Sequence, residues 1–388
     1  MTRPAVPSAD AQVLISGGGP AGLALACALH DRGLAVQVLE QADEATLAQP
    51  ADDGREIALT HRSRALLERL GLWQRLPEVA PLRRARVMSS GSRIPLPFEA
   101  PGQDLGWRVS NRWLRAAAWA GVQARGVPVL CGRRVVGLAR DAQRARLQCA
   151  DGAELAAPLV VAADSRFSAL RRLAGIGARH HDFGRSALLV PLAHERDHEG
   201  VAQECFLRGH TLALLPMSGG RSSAVWTVRN AELPGLQALD DTQLAARIEA
   251  AAGGVLGPMR VVGGRHVYPL VAVWAEHFVG PRLALIGDAA VGMHPVTAHG
   301  YNLGLYGVEA LAWRLDAADP GAPGPLATFE AEHRRAAAPL YVGTNALVRF
   351  FTDDREPVLA LRRAVIDLAR HLPPLRAAIT RRLVDAAA

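Results

Sequence analysis

The sequence predicts a mixed α/β protein, and three features of the chain lead to that prediction. A glycine-rich turn near the N-terminus separates a short apolar run from a helical pattern. Two later apolar runs, 159–163 and 283–286, each stop at a turn that carries an aspartate. Residues 183–275 consist mostly of short β-like runs. Apolar runs between turn residues are typical of strands buried in a parallel sheet, so we expect such a sheet with a mainly antiparallel sheet inserted into the chain.

The composition of the chain excludes several classes of function. With 388 residues, 49% hydrophobic and 21% charged, the chain is long enough for two or three structural units of a globular enzyme. All 44 of its lysine-plus-arginine residues are arginine, which excludes catalysis by a Schiff-base or P-loop lysine. The four cysteines lack metal-ligand spacing, so we predict no metal site and a reducing, cytoplasmic location. The net charge of +7 permits contact with an anionic surface, and we expect no nucleic-acid partner.

The N-terminal segment carries a dinucleotide-binding pattern. A short strand, the turn Gly17-x-Gly19-x-x-Gly22, a helix and a second strand ending at Glu40 follow one another directly. In this context Gly17 makes the turn, Gly19 lets a pyrophosphate approach the backbone, and Gly22 lets the helix pack closely. Glu40 can accept hydrogen bonds from an adenosine ribose, and its charge would repel a ribose 2′-phosphate. The segment therefore predicts a Rossmann-like domain.

The stretch 281–304 organises the rest of the chain. Its apolar run ends at Gly287-Asp288, a proline turn follows at His294-Pro295, and a helical pattern opens after His299-Gly300. An acid at a strand end beside a helix N-terminus suits a ligand with a hydroxylated chain and an electron-accepting ring, and a flavin has both. The structural alternative is a buried strand, a loop and a helix capped by Asp288.

Two further segments carry candidate ligand contacts. Arg55 follows a loop that returns towards the nucleotide, so it is a candidate lid contact, or else a solvated surface arginine. Asp164 ends the second apolar run, with Arg171 seven residues later. We expect Asp164 to hold the loop geometry and Arg171 to contact the nucleotide, whereas the structural alternative is an N-cap followed by a surface arginine.

The remaining elements and the domain limits are also predicted. We expect a hairpin over 81–98, helices over 107–126, 240–251 and 326–336 (the last stopping before Pro339), and helical periodicity over 340–384. The predicted domains are a discontinuous cofactor domain (1–80, 103–180 and 276–340), a β-sheet substrate domain (81–102 and 181–275) and a C-terminal helical segment (341–388).

Taken in order, the Gly17 fingerprint, the Ala163-Asp164 segment and the Gly287-Asp288 segment resemble those of the FAD-dependent aromatic-ring hydroxylases, the group A flavoprotein monooxygenases with a p-hydroxybenzoate-hydroxylase-like fold. The segments 53–63, 161–168 and 287–305 resemble the ubiquinone-biosynthesis branch of that family. Three positions depart from the common pattern: Ser165 stands where glycine is usual, His299 replaces glutamine, and Gly307 replaces aspartate.

The resemblance implies that reduced FAD reacts with O2 and, through a flavin C4a-hydroperoxide, hydroxylates the ring of a polyprenylated phenol or quinol such as demethoxyubiquinol. Electrons would come from NAD(P)H or a separate reductase. A base that ionises the phenol would help, and His299 is the first candidate and Tyr301 the second. The cofactor-binding residues implied are Gly17, Gly19, Pro20, Ala21, Gly22, Glu40, Arg55, Arg112, Asp164, Arg171, Gly287, Asp288, Pro295, Gly300, Tyr301 and Asn302.

Two alternatives share these motifs: a flavin-dependent reductase of isoprenoid double bonds, and a non-catalytic flavoprotein scaffold of a quinone-synthesis complex. A polyprenyl substrate also requires an apolar tunnel and a surface facing a membrane or a partner complex. The proline-rich residues 94–102 and the arginine-bearing C-terminal helices are candidates for that surface. The expected location is therefore the cytoplasm, peripheral to the inner face of the cytoplasmic membrane.

Overall fold

The computed structural model of the chain describes residues 11–89, 95–297, 299–353, 355–371 and 380. The helices are α1 Pro20–His30, α2 Glu44–Ala48, α3 His61–Arg69, α4 Asn111–Ala124, α5 Ala169–Leu173, α6 Leu233–Gln237, α7 Asp241–Ala251, α8 Gly300–Arg314, α9 Pro323–Thr352 and α10 Glu356–His371. The strands are β1 Val13–Ser16, β2 Val36–Leu39, β3 Glu56–Leu59, β4 Ala80–Leu82, β5 Arg84–Ser89, β6 Leu96–Glu99, β7 Gly106–Ser110, β8 Val129–Leu130, β9 Val135–Arg140, β10 Ala145–Cys149, β11 Glu154–Ala157, β12 Leu159–Ala162, β13 Ala178–His194, β14 Val201–Phe206, β15 Thr211–Met217, β16 Arg221–Arg229, β17 Met259–Val261, β18 His266–Ala275, β19 Val279–Gly280, β20 Leu283–Leu285 and β21 Val291–Gly292.

A six-stranded sheet with the order β19-β20-β12-β1-β2-β8 forms the centre of the cofactor domain. Its strands from β20 to β8 run parallel, and only β19 is antiparallel to its neighbour. The four residues of β1 and of β12 are all buried, as expected for strands covered on both faces. Helices α1, α4 and α8 pack in the same core through apolar residues such as Leu23, Val122 and Leu311. The predicted parallel sheet is confirmed.

A nine-stranded sheet carries the β-rich segment in the order β21-β18-β13-β16-β15-β14-β5-β6, with β17 also paired to β13. Its pairs are antiparallel except for β14 with β5. One face packs against α7 around Leu188, Leu212 and Trp226. The other face, here called the inner face, carries Leu189 and Leu270. The expected inserted antiparallel sheet is therefore confirmed.

The predicted hairpin over 81–98 is the pair β5 and β6, joined by residues 90–94, which lie outside the described residues. The predicted helix over 107–126 was wrong at its start, because residues 107–110 belong to β7 and pair with β3 and β4. Only the part from Asn111 is helical. This strand was missed because it is short and enters directly into an amphipathic helix.

The helix expected to stop before Pro339 instead continues as α9 to Thr352. A proline removes one backbone donor and normally breaks a helix. Here Phe329 and Ala337 are buried before the proline and Thr344 and Val348 after it, so tertiary packing holds both halves. Of the predicted C-terminal periodicity, 372–379 and 381–388 lie outside the described residues. The domain limits stay a prediction.

Among the described residues, no helix combines the length and the apolar character needed to cross a bilayer.

Candidate functional site

Four neighbouring strands of the parallel sheet end at one edge, here called the cofactor edge. The strands β20, β12, β1 and β2 lead there to Asp288, Asp164, Gly17 and Glu40, respectively. The Gly17 amide donates to the Leu39 carbonyl at 2.8 Å, which ties two of these strand ends together. Because neighbouring strands lie about 4.8 Å apart, the four corners fall within about 15 Å of one another. The structure thus brings the three predicted motifs to one place.

The glycines of the first motif show the geometry that a dinucleotide requires. Gly17 has φ +116°, and a Cβ there would collide with the Ala163 carbonyl oxygen. A Cβ on Gly22 would collide with the Gly17 carbonyl oxygen, so both positions require glycine. A Cβ on Gly19 would meet nothing within 4 Å. The backbone is therefore open at Gly19, just before α1 begins at Pro20, and this cradle fits the pyrophosphate of FAD.

Glu40 lies directly over this loop. Its Oε2 accepts a hydrogen bond from the Gly18 amide at 2.6 Å, and its Oε1 accepts one from the Ala42 amide at 2.8 Å. Each carboxylate oxygen has a second lone pair, so Glu40 can still accept from a ribose hydroxyl. The predicted role of Glu40 fits its position.

The second motif is built around Asp164, which accepts hydrogen bonds from the Ser168 hydroxyl and from the Leu170 amide at 3.0 Å. Ser165 has φ +78°, a backbone conformation that favours glycine. Arg171 is only 2% exposed, and its Nη1 donates to the Ala289 carbonyl at 2.9 Å. Burial lowers the pKa of its guanidinium. Arg171 thus links the second motif to the third, and its contact with the nucleotide stays a prediction.

In the third motif, Asp288 lies in a 3-10 turn, Gly287–Ala289, and its Oδ2 accepts from Arg166 Nη2 at 3.1 Å. The N-cap of α8 is His299 and not Asp288, so the structural alternative for this aspartate does not hold. A Cβ on Gly300 would meet none of the described residues within 4 Å, so the backbone at the start of α8 is open on that side. Its amides can therefore reach an anionic or electron-rich ring edge. The predicted Pro295 is exposed and begins a separate 3-10 turn.

The first residues of α8 hold the helix against β3. Asn302 Oδ1 accepts from the Thr60 amide at 3.0 Å, and its Nδ2 donates to the Ala58 carbonyl at 2.7 Å. His299, the first candidate base, is 6% exposed. Burial raises the pKa of Tyr301, so its hydroxyl keeps its proton at neutral pH and suits a donor better than a base.

A network that the sequence did not reveal holds the Arg55 loop. Asp53 Oδ2 accepts from Arg55 Nη2 at 2.6 Å and from Asn111 Nδ2 at 2.7 Å. Burial opposes ionisation of Asp53, but these bonds outweigh it and lower the pKa of the carboxyl. Tyr268 of the nine-stranded sheet donates to the Asp53 carbonyl at 2.8 Å. The predicted Arg112 stacks on the Trp113 ring at 4.2 Å instead, and its cofactor contact stays a prediction.

Asn111 was missed because the preceding strand was assigned to the helix. Had β7 been recognised, Asn111 would have stood at a strand-to-helix junction, where a polar side chain often marks a site.

His294 of the third motif is buried and contacts the nine-stranded sheet. Its Nδ1 accepts from the Val296 amide at 3.1 Å, and its ring meets the edge of Phe183 from the nine-stranded sheet at 4.8 Å. Burial, with help from the positive charge of Arg185, lowers the pKa of His294 to about 4. His294 is therefore neutral at physiological pH. Within the described part of the chain its Nε2 has no hydrogen-bond partner.

Comparison with known proteins identifies the family. Residues 10–342 match the family model described as FAD binding domain. The chain is 40% identical to the ubiquinone hydroxylase UbiM of Neisseria meningitidis, over 97% of this chain and 85% of that protein. It is 41% identical to the ubiquinone hydroxylase UbiL of Rhodospirillum rubrum, over 97% of this chain and 90% of that protein.

Solved structures confirm the predicted fold class. The p-nitrophenol 4-monooxygenase from Pseudomonas putida superposes with a TM-score of 0.78 at 18% identity, covering 96% of this chain and 98% of that one. A variant of HpxO from Klebsiella pneumoniae, complexed with FAD, superposes with a TM-score of 0.77 at 18% identity, covering 97% of this chain and 98% of that one.

Proposed function

The chain belongs to the FAD-binding domain family of flavoprotein monooxygenases, as the ubiquinone hydroxylases do, and from this premise we propose that it hydroxylates the ring of a polyprenylated ubiquinone precursor. The observation that carries the proposal is the meeting of the three motifs at the cofactor edge, where Tyr268 and Phe183 of the nine-stranded sheet contact the Arg55 loop and the third motif. A bound FAD would supply the activation of O2. One oxygen atom enters the ring, and the other leaves as water after taking two electrons from NAD(P)H or a separate reductase and two protons.

The residues of this chain would bind and orient the cofactor and keep water out. Gly19 and the N-terminus of α1 would hold the pyrophosphate, Glu40 the adenosine ribose, and Asp288 the hydroxylated chain. The open amides after Gly300 would face the ring edge, where they stabilise negative charge. Tyr268 and Asn111 hold the Arg55 loop between the two sheets. Together these groups would orient the cofactor, as oxygen transfer requires.

A polyprenylated substrate fits the apolar character of the inner face. Near the cofactor edge this face carries the cluster of Leu189, Leu270 and Phe183. Near β6 it carries Leu96 and Phe98, which pack with Phe351 and Ala369 of the C-terminal helices. We therefore place the ring between the two clusters, with the tail along the second.

The test is mass spectrometry of quinone intermediates in cells that lack this protein. Accumulation of a ring-deoxygenated prenylphenol or a demethoxyquinol supports the proposal. Intermediates that differ by two hydrogens in the tail would instead identify a reductase of isoprenoid double bonds. A catalytically dead variant that still binds FAD and restores the quinone would identify a scaffold.

We also propose that α10 contacts the membrane surface that holds such a substrate. Leu361, Val365 and Leu368 recur at helical spacing on α10, and they are 55%, 43% and 58% exposed. An apolar stripe on a basic protein favours insertion at an anionic bilayer surface. The double variant Leu361→Glu, Leu368→Glu should sediment several-fold less with vesicles of anionic lipid, while its FAD content stays unchanged. Equal sedimentation of the variant and the parent protein contradicts the proposal.

A further inference from the structure

The carboxyl group of Glu204 lies among apolar side chains on the inner face. Strand register places Glu204 of β14 opposite Val87 of β5 and Ala213 of β15. Ala213 pairs in turn with Val225, and Val225 with Leu189. Residues in register on neighbouring strands point to the same face of a sheet. Glu204 therefore shares the inner face with Val225 and Leu189.

This face looks onto the cofactor edge. Leu189 and Val225 belong to one apolar cluster with Tyr268 and Phe183. The Tyr268 hydroxyl reaches the Asp53 carbonyl of the Arg55 loop, and the Phe183 ring touches His294 of the third motif. Glu204 lies two strands beyond Val225, or about 10 Å at the usual strand spacing. That distance suits the far side of a pocket that holds an aromatic ring.

Glu204 is half-buried, and its carboxyl has no hydrogen-bond or ion-pair partner among the described residues. By strand register, its same-face neighbours in the described part of the chain are Ala202 and Phe206 on β14, Ala85 and Val87 on β5, and Ala213 and Leu215 on β15, and none of them is charged or titratable. Phe351 of α9 stacks on Phe206, and Arg362 of α10 lies over the Phe351 ring at 5.5 Å and donates to the Phe350 and Asp353 carbonyls. Burial alone raises the pKa of Glu204 to about 8. A carboxyl group is costly in such a place unless a ligand uses it.

We infer that the Glu204 carboxylate accepts the proton of the substrate's ring hydroxyl, which makes the ring electron-rich for oxygen insertion. This inference rests on the proposed hydroxylation. In the step, the O–H bond of the ring hydroxyl breaks and an O–H bond forms on Glu204, and no electrons are exchanged. When the hydroxylated ring regains its aromaticity, the attacked carbon releases a proton, which ends in the water that leaves, and the ring oxygen takes one back from Glu204. Glu204 is then a carboxylate again.

The pKa values of Glu204 and of a phenol are close enough for proton transfer between the two groups. A phenol has a pKa near 10 and an exposed glutamate one near 4.3, so an ordinary glutamate is about six pKa units too weak as a base. Burial narrows this difference to about two units for Glu204. The group is therefore a far better proton acceptor for a phenol than an exposed carboxylate would be.

The experiment is a single-turnover measurement on the FAD-loaded protein. The flavin is reduced chemically, so that no electron donor need be known, and is mixed with O2 and 2-geranylphenol at a series of pH values. In the parent protein, formation of hydroxylated product should rise with pH around a midpoint near 8. In Glu204→Gln, the rate at high pH should fall about a hundredfold. The rise with pH should disappear, and hydrogen peroxide should replace the product.

Two variants complete the test. Glu204→Asp should retain part of the rate and the dependence on pH, while Glu232→Gln, which alters an exposed carboxylate of the same segment, should behave as the parent protein does. The FAD content of each variant reports folding. If the parent protein forms no hydroxylated product, the proposed function fails. If it does, but its rate shows no rise near pH 8 or Glu204→Gln keeps the same rate and profile, the function stands and the inference on Glu204 is overturned.

Discussion

At the cofactor edge, the neighbouring backbone determines which residue type each position can hold. Gly17 and Gly22 leave no room for a Cβ, and the carboxylate of Glu40 accepts from the amide of Gly18 in the adjoining turn. On the inner face of the nine-stranded sheet, the neighbours of each residue come from strands far apart in the chain. Glu204 meets Val87 and Ala213 only through strand register. The first region is thus specified by local spacing and the second by tertiary pairing, and substitutions should affect the two regions in different ways.

The largest expected effect is a difference in stability between substitutions at two glycines of the same turn, Gly22 and Gly19. Gly22→Ala should lower the free energy of unfolding by about 3 kcal/mol, because its Cβ would collide with the Gly17 carbonyl oxygen. Gly19→Ala should leave stability nearly unchanged, because a Cβ there meets nothing within 4 Å. It should still weaken FAD binding, because the methyl group occupies the space for the pyrophosphate. Chemical denaturation without FAD and a fluorescence titration with FAD measure the two effects. Tight FAD binding by Gly19→Ala would contradict the assignment of this turn as the pyrophosphate site.

Asp288→Ala should lose the yellow colour of the flavoprotein. We expect FAD affinity to fall roughly ten- to a hundredfold, since a charge-assisted hydrogen bond contributes about 1.5–3 kcal/mol. Flavin content after gel filtration and titration of the apoprotein provide the measurement, with Glu232→Gln as the matched exposed carboxylate. Unchanged affinity would remove Asp288 from the site.

His294 lies where the two regions meet, and it should make stability depend on pH. Burial holds the pKa of His294 at about 4 in the folded protein, against 6.5 when unfolded. Between these values the unfolded chain takes up a proton that the folded protein refuses, so stability is lost as the pH falls from 6.5 to 4. At about 1.4 kcal/mol per pKa unit, the loss approaches about 3.5 kcal/mol.

His294→Asn should remove this part of the acid sensitivity, because asparagine can still accept from the Val296 amide and does not titrate. Urea denaturation of both proteins at pH 7 and near pH 4.5 gives the comparison. Parallel losses of stability in the two proteins would show that His294 is not the group responsible.

The smallest effect concerns the departure from the family pattern at Ser165. Its φ of +78° costs about 1 kcal/mol for a residue with a Cβ, so Ser165→Gly should raise the free energy of unfolding by up to that amount. Thermal unfolding with and without FAD gives the result, and Ser218→Gly, in a turn where the serine φ is not positive, is a suitable control. A loss of stability would mean that the serine hydroxyl contributes more than the strained backbone costs.

The same difference between the two regions explains which parts of the structure could be predicted from the sequence. The turn at Gly17 and the strand ends at Asp164 and Asp288 were predictable, because glycine and acid positions follow local backbone geometry. Helix α9 was not, because the burial of Thr344 and Val348 carries it past Pro339. Asn111 was hidden by a strand that exists only through its pairing with β3 and β4. The orientation of Glu204 depends on the pairing of β14 with β5, more than a hundred residues away in the chain.

The most direct test of the whole account uses the FAD-loaded protein, a prenylphenol and isotopically labelled dioxygen. The account predicts a ring-hydroxylated product that contains one oxygen atom from the labelled gas, with the second atom in water. A product without label, or a substrate altered only in its isoprenoid tail, would contradict it.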